Sequence, residues 1–388
     1  MKIDNTLSKS MEIVLRIFGI WPNSSYIWLR RLFWTIAVMM EQVLEYRWVV
    51  THFYSVESFE VMKILSETMT YTIMLIKLIT FWVKQRTFIK ILTMMATDLE
   101  NRTTDEVSMI TMTYYANLSR RLNNGTIVIY TMSILFNCSN LFANDEKASN
   151  SSTKPLILTM DLPFDLNQTL IYWLIIIIQF FHLMLSANVH GMLNTLLINL
   201  ILHAGGQIDI LCKWLTEMFP TEEKLSEKRS LNPLMIQKVI KKHHQQVIIF
   251  SEKIEEMYTN IALVLFVSDT LIICCLGYTL VMSVGTPDGI KIIMRIILFY
   301  VVSNMEAFTF CFAGEYLTNK TSSIGDAVYN SCWYEANSKD SRFIVFMIMR
   351  SQKQLTITIG KVLDLSMERF CSIIKASASY ISVLTAMY

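Results

Sequence analysis

A stripe of residues near the C-terminal end of the chain has types and spacing that suit ion conduction. Lys375, Ser379, Val383 and Met387 recur every four residues, so on an α-helix they share a face that changes from charged to polar to apolar. Around a central axis, Ser379 would contact hydrated ions, and Val383 and Met387 would form a constriction that gates by dewetting. The spacing alone favours the alternative, packing against neighbouring helices. Lys375 is unusual on a cation pathway and is expected to pair with an acid such as Glu306.

A second set of residues has the composition of a cavity for a small, largely apolar molecule. Such a site needs aromatic, aliphatic and methionine side chains among helices, with one or two polar groups that fix orientation. Asn137 and Asn140 are the strongest candidates, because an amide buried in a membrane is costly without a partner. The predicted ligand-binding residues are Tyr71, Met74, Ser133, Phe136, Asn137, Asn140, Trp173, Ile177, Phe180, Ile297 and Tyr300. Each of them taken singly is also compatible with ordinary packing between helices.

Sequence signatures of enzymes are missing from the chain. It has no glycine-rich phosphate loop, no HExxH and no GxSxG sequence. His243 and His244 would point about 100° apart on a helix, so we expect a solvated helix rather than a shared metal. The Gly205-Gly206 pair is expected to end or bend a helix. We therefore predict no enzymatic activity, no cofactor and no metal site.

The composition places the chain in a lipid bilayer. Its 388 residues are 53% apolar and only 17% charged, whereas about 25% of the residues of a soluble protein are charged. The net charge of +2 gives no general attraction to nucleic acid. The excess apolar surface instead requires lipid as a partner.

Windows of about 20 mainly apolar residues predict an all-α membrane protein with seven transmembrane helices in a single domain, residues 1–388. The fourth predicted helix is longer than a bilayer requires, and no proline interrupts it. The seventh is the least hydrophobic and is expected to enter the membrane only over its C-terminal half. The predicted spans are about 32–53, 64–83, 126–142, 170–202, 258–283, 292–312 and 356–387.

The distribution of Lys and Arg predicts the orientation of these helices. Alternate connecting segments hold 24 basic residues in one set and four in the other. Because basic residues stay on the cytoplasmic side, the N-terminus is predicted inside and the C-terminus outside. This orientation is the opposite of that of a G-protein-coupled receptor. Asn150 and Asn167 begin glycosylation signals in the predicted outer segment between helices three and four.

The C-terminal third contains the most specific sequence, including Cys311-Phe-Ala-Gly-Glu-Tyr-Leu-Thr, Ile324-Gly-Asp-Ala-Val-Tyr and Arg350-Ser-Gln-Lys-Gln-Leu. This text closely resembles the insect odorant receptor family, in the style of a hymenopteran tuning receptor. It does not resemble the coreceptor, which has a much longer second inner loop. Gln354 stands where the family often has proline, and Ile381-Ser382 stand where Phe-Thr is frequent.

The resemblance implies a subunit of a heterotetrameric, odorant-gated, non-selective cation channel in the plasma membrane of olfactory sensory neurons. This chain would bind a volatile odorant, and coreceptor subunits would complete the pore. The resemblance also implies a split seventh helix, with a cytoplasmic anchor formed by segments 203–256 and 315–355. It assigns the gate valine to Val383 and a second constriction to Met387, and it supports Tyr300 as a pocket residue. A gustatory-type ligand-gated channel and a G-protein-coupled receptor are the alternatives.

Overall fold

The computed structural model describes residues 6–22, 26–101, 106–144, 156–162, 168–218, 233–284, 289–331, 333–335 and 338–387. Over these ranges the chain forms ten α-helices and one short hairpin. The helices are α1 (Lys9–Ile17), α2 (Ile27–His52), α3 (Ser58–Val83), α4 (Gln85–Asn101), α5 (Glu106–Asn144), α6 (Thr169–Thr216), α7 (Pro233–Met282), α8 (Gly289–Tyr329), α9 (Ser338–Ser351) and α10 (Met367–Met387). The hairpin strands are β1 (Thr358–Ile359) and β2 (Leu363–Asp364).

Seven long helices, α2, α3, α5, α6, α7, α8 and α10, form a transmembrane bundle and carry the apolar windows predicted from the sequence. By length and composition alone, α3, α6, α7 and α8 each contain a stretch able to cross a bilayer. The 48 residues of α6 extend roughly 70 Å, which exceeds a bilayer core of about 30 Å. The second half of α6 is almost continuously buried from Val189 to Leu211, and the helix packs with α5, α7 and α8.

The Gly205-Gly206 pair was expected to end or bend the helix, and the first of these alternatives is wrong because the pair lies inside α6. A Cβ added to Gly205 would lie 2.8 Å from the Tyr316 hydroxyl on α8. One added to Gly206 would lie 2.9 Å from Tyr115 and from Met112 on α5. The two glycines therefore allow α5 and α8 to approach the α6 backbone closely.

The inner part of the bundle also buries the histidine pair, which contradicts the prediction of a solvated helix. His243 and His244 on α7 are 6% and 7% exposed. The His243 Nε2 atom lies 3.2 Å from the Gln207 carbonyl oxygen of α6. Burial, together with the positive charge of Arg350 on α9, lowers the pKa of His244 to about 4. The pair is thus part of the contact between α6, α7 and α9.

The seventh transmembrane element is split, and its membrane helix begins at Met367 rather than near residue 356. The hairpin between α9 and α10 explains the later start, because Gly360 and Lys361 have φ of 59° and 63°. These values are incompatible with a right-handed helix. The hairpin is attached to α7, where the Gly360 N–H donates to the Thr259 carbonyl at 3.0 Å.

Candidate ligand cavity and pore face

A cavity of about 120 Å³ lies between α3, α5, α6 and α8 in the outer part of the bundle. For comparison, an apolar cavity of about 150 Å³ binds benzene. The apolar part of the wall comes from all four helices and from Leu158 in the connection before α6. The lining residues are Glu67, Thr70, Tyr71, Met74, Tyr130, Ser133, Ile134, Asn137, Leu158, Leu183, Ser186, Ala187, His190, Phe299, Val302, Ser303 and Glu306.

The inner end of the cavity rests on a buried charged cluster. Glu306 of α8 accepts from the Lys77 ammonium of α3 and lies 2.7 Å from the His190 Nε2 atom of α6. Lys77 also donates to the Asn194 side-chain oxygen at 2.6 Å. Lys77 is 1% exposed and Glu306 is 5% exposed, so each charge depends on these partners rather than on water. The cluster joins α3, α6 and α8 beneath the cavity.

The described segment 156–162 covers another part of the cavity. Leu158 is 4% exposed and lines the cavity, and Ile157 packs into a small apolar cluster with α5 and α6. Gln179 of α6 holds both residues by their backbone. Its oxygen accepts from the Ile157 and Leu158 N–H groups at 3.2 and 3.4 Å, and its amide donates to the Leu158 carbonyl at 3.4 Å.

Four lining residues carry buried polar atoms that have no hydrogen-bond partner within the described part of the chain. These atoms are the Tyr71 hydroxyl, the Asn137 side-chain oxygen, the Ser186 hydroxyl and the His190 Nδ1 atom. Tyr71, Ser186 and His190 are at least nine-tenths buried. An unpaired buried polar group costs free energy, so the cavity wall is better suited to a ligand with complementary groups than to a purely apolar one.

Four of the predicted ligand-binding residues line this cavity: Tyr71, Met74, Ser133 and Asn137. Six others do not, namely Phe136, Trp173, Ile177, Phe180, Ile297 and Tyr300. Phe136, Trp173, Ile177 and Ile297 are 38 to 53% exposed on the outside of the helix bundle. Phe180 packs in the cluster with Ile157, and Tyr300 packs toward α10. The side chain of Asn140 lies outside the part of the chain that the structure describes.

The prediction missed two deeply buried ionisable residues that line the cavity, Glu306 and His190. A signal was present, because ionisable residues inside predicted spans mark functional sites. The expected ion pair between Lys375 and Glu306 is wrong. Lys375 is exposed on α10, whereas Glu306 is occupied by Lys77 and His190. Ser186 gave no comparable signal, since its position facing the cavity depends on the rotation of α6.

The packed face of α10 is different from the face predicted to line a pore. Ile373 and Ser377 are 3% and 2% exposed, and the Ser377 hydroxyl lies 3.2 Å from the Thr270 carbonyl of α7. Ile381 continues this face against Gly277 of α7.

The face with Lys375, Ser379 and Val383 lies about 200° around the helix, and Val383 is 58% exposed. The alternative that this stripe packs within the subunit therefore does not hold for these three residues. The side chain of Met387 lies beyond those that the structure describes, and Asn150 and Asn167 are outside the described residues.

A sequence profile of the family described as 7tm Odorant receptor matches residues 58–378. The chain belongs to the insect odorant receptor family. It is 28% identical to Odorant receptor Or2 of Anopheles gambiae over 147 residues, which cover 38% of each protein. It is 26% identical to Odorant receptor 85b of Drosophila melanogaster over 149 residues, which cover 38% of this chain and 37% of the relative. These alignments span less than two-fifths of the curated relatives.

Solved odorant receptor structures share the fold over nearly the whole chain. The olfactory receptor OR5 from Machilis hrabei has a TM-score of 0.75 at 15% identity, with coverage of 98% of this chain and 97% of OR5. Its complex with eugenol gives a TM-score of 0.73 at 14% identity over the same shares. At this identity the likeness establishes the fold alone. The chain is therefore a multi-pass membrane protein with the odorant receptor fold.

The family-like sequence around Gly314 joins α8 to the start of α10. A Cβ on Gly314 would lie 2.5 Å from both the Cβ and the carbonyl oxygen of Leu365. The next residue, Glu315, accepts from the Met367 N–H at 2.7 Å. This carboxylate satisfies a free N–H group and interacts favourably with the dipole at the N-terminus of α10. Gly314 and Glu315 thus fix where α10 begins relative to α8.

Proposed function

We propose that this receptor binds a volatile odorant in the cavity between α3, α5, α6 and α8, and that binding opens a non-selective cation channel. The channel is a heterotetramer of this chain with coreceptor subunits in the plasma membrane of olfactory sensory neurons. Ser379 and Val383, together with Met387, line the pore contributed by α10. Asn150 and Asn167 are the proposed glycosylation sites on the outer side.

The observation that carries the proposal is the cavity itself. It is largely apolar, has a few polar groups and lies among helices of a chain that belongs to the odorant receptor family. These properties suit a small volatile molecule. Tyr71, Met74, Ser133 and Asn137 are the proposed ligand contacts among the residues selected from the sequence.

The exposed face of α10 supports the channel part of the proposal. Lys375 and Ser379 are polar and exposed on a helix that belongs to a membrane bundle. Polar side chains facing lipid are costly, whereas the same side chains facing a water-filled pore are not. Assembly of several subunits around this face provides such a pore.

The test is to coexpress the chain with the coreceptor and record current while a panel of volatiles is applied. We expect an odorant-evoked cation current that Ala187→Phe, which fills the cavity, abolishes. Ile178→Phe is the matched control, because Ile178 is on the same helix but 59% exposed. Absence of any evoked current despite surface expression would overturn the proposal. Equal loss of current in both variants would show that the cavity is not the odorant site.

The same recordings distinguish the alternative functions. A gustatory-type channel would conduct without the coreceptor, so current from the chain expressed alone favours that function. A G-protein-coupled receptor would place the N-terminus outside, and an N-terminal epitope tag would then be accessible in unpermeabilised cells. We expect the tag to be inaccessible, as the distribution of basic residues predicts.

A further inference from the structure

The unpaired polar atoms of the cavity specify the chemistry of the ligand, given that the cavity is the odorant site. The Asn137 oxygen is a hydrogen-bond acceptor that receives no donor from the described residues, while the Tyr71 and Ser186 hydroxyls can each donate or accept. They come from α5, α3 and α6, so the polar groups are distributed around the wall rather than along one helix.

His190 adds a second acceptor at the inner end. Its Nε2 atom lies 2.7 Å from the Glu306 carboxylate, and a carboxylate only accepts hydrogen bonds. Nε2 must therefore carry the proton, which leaves a lone pair on Nδ1 in the neutral ring. Nδ1 is buried and has no partner among the described residues. The wall thus presents two acceptors that need a donor.

We propose that the preferred ligand is a compact alcohol or phenol, in which a hydroxyl group donates to Asn137 or His190 and accepts from Ser186 or Tyr71. A ketone, ester or ether accepts hydrogen bonds but cannot donate one, so both wall acceptors would stay unpaired in its complex. A hydrocarbon would leave all four groups unpaired. A site with buried polar groups discriminates strongly against analogues that lack the matching group.

The rest of the cavity wall favours a ligand in which the hydroxyl is attached to a hydrocarbon group. Met74, Ile134, Leu183, Phe299 and Val302 supply apolar contacts from the same four helices. The cavity volume of about 120 Å³ suits a ring of roughly the size of benzene rather than a long chain. A small ring alcohol or a simple phenol satisfies both requirements.

The test measures ligand binding rather than current. It compares how much matched probes of nearly equal size raise the melting temperature of the purified receptor. One set is cyclohexanol, cyclohexanone and methylcyclohexane, and the other is 4-methylphenol and p-xylene. We expect the hydroxylated probes to stabilise the wild-type receptor best. We also expect Ser186→Ala and Asn137→Leu each to lower the affinity for hydroxylated probes about tenfold, which is the usual effect of one lost hydrogen bond. The affinity for hydrocarbon probes should not change.

Ser66→Ala is the matched control, because the Ser66 hydroxyl is buried on α3 but bonded to the Lys63 carbonyl within its own helix. This variant should bind every probe with unchanged affinity. Ser186→Ala should not impair folding, since it removes a hydroxyl that has no hydrogen-bond partner in the described ranges of the chain. Equal effects of the two cavity variants on alcohols and hydrocarbons, or stronger binding of cyclohexanone than cyclohexanol, would overturn the inference. Odorant-evoked current from other volatiles would then still support the proposed function.

Discussion

The ion pair between Lys77 and Glu306 is the most deeply buried charged contact beneath the cavity. Both side chains are almost completely removed from solvent, so neither charge can be compensated by water when its partner is lost. We predict that Lys77→Met lowers the free energy of unfolding by about 3–5 kcal/mol, measured by thermal or denaturant unfolding in detergent.

A double variant tests the cause of this destabilisation. Glu306→Gln combined with Lys77→Met removes both charges, and the glutamine can still bond to His190. The double variant should therefore recover most of the stability lost in Lys77→Met alone. If the two substitutions were simply additive, the pair would not be coupled in the way the geometry indicates.

The burial of His244 predicts a pH dependence of stability. In the folded receptor the pKa of His244 is about 4, whereas in the unfolded chain it is near 6.5. Below pH 6.5 the unfolded state binds a proton that the folded state excludes, so stability falls by up to roughly 3 kcal/mol as the pH decreases toward 4.

His244→Gln should flatten this dependence in melting experiments from pH 7.5 to pH 4.5. Lys241→Gln, an exposed substitution on the same helix, should leave the slope unchanged. A slope that is identical in wild type and His244→Gln would show that other groups cause the acid sensitivity.

At the scale of elements, the contact between α8 and the start of α10 depends on the missing side chain of Gly314. Gly314→Ala would place a Cβ against the backbone of Leu365, which cannot move as a flexible side chain does. We predict destabilisation by about 1–3 kcal/mol.

Gly125→Ala on α5 is the matched control for this helical glycine. A Cβ there meets nothing within 4 Å, so alanine should stabilise the helix by up to about 1 kcal/mol. Opposite signs for the two glycines in the same melting experiment are the expected result. Stabilisation by Gly314→Ala would contradict the packing described for α8 and α10.

The segment that covers the cavity is held mainly through one side chain, Gln179. Gln179→Leu keeps the size of the side chain but removes its hydrogen bonds to Ile157 and Leu158. We predict faster amide hydrogen exchange in residues 156–162 and weaker ligand binding, with exchange in α7 unchanged. Asn188→Leu serves as the control, because the Asn188 amide donates to the Met184 carbonyl within α6 and Asn188 is not among the described cavity-lining residues.

Windows of about 20 mainly apolar residues predicted the long membrane helices, but they did not predict how each helix is rotated about its axis. Phe136 and Asn137 are neighbours on α5, yet Phe136 is exposed and Asn137 lines the cavity. A rotation of about 100° separates them, and several faces of α5 and α6 are equally apolar. The left-handed backbone at Lys361 could not be predicted from the sequence either, since lysine, unlike glycine, does not indicate a residue with positive φ.

At the scale of the whole molecule, the exposed face of α10 is the proposed pore face, and its contact with water can be tested directly. We predict that, in complexes with the coreceptor, cysteines introduced by Ser379→Cys and Val383→Cys react with a membrane-impermeant thiol reagent and that the reaction alters the current. Each cysteine is introduced into a receptor that also carries Cys371→Ser, because the exposed Cys371 would itself react with the reagent.

Ile381→Cys provides the contrast, since Ile381 packs against Gly277 of α7. It should react slowly and leave the current unchanged. Equal reactivity at residues 379, 381 and 383 would indicate that α10 has no single water-facing side, and the pore assignment would then fail.

The cavity is built from α3, α5, α6, α8 and Leu158, and among the described residues that line it none lies on α7 or α10. A substitution in the cavity wall can therefore change which molecule fits without altering a contact between α7 and the proposed pore helix. After gene duplication, one copy can diverge toward a new ligand while the packing of α7 against α10 stays intact. This separation allows the choice of ligand to evolve by single substitutions while the proposed pore helix stays unchanged.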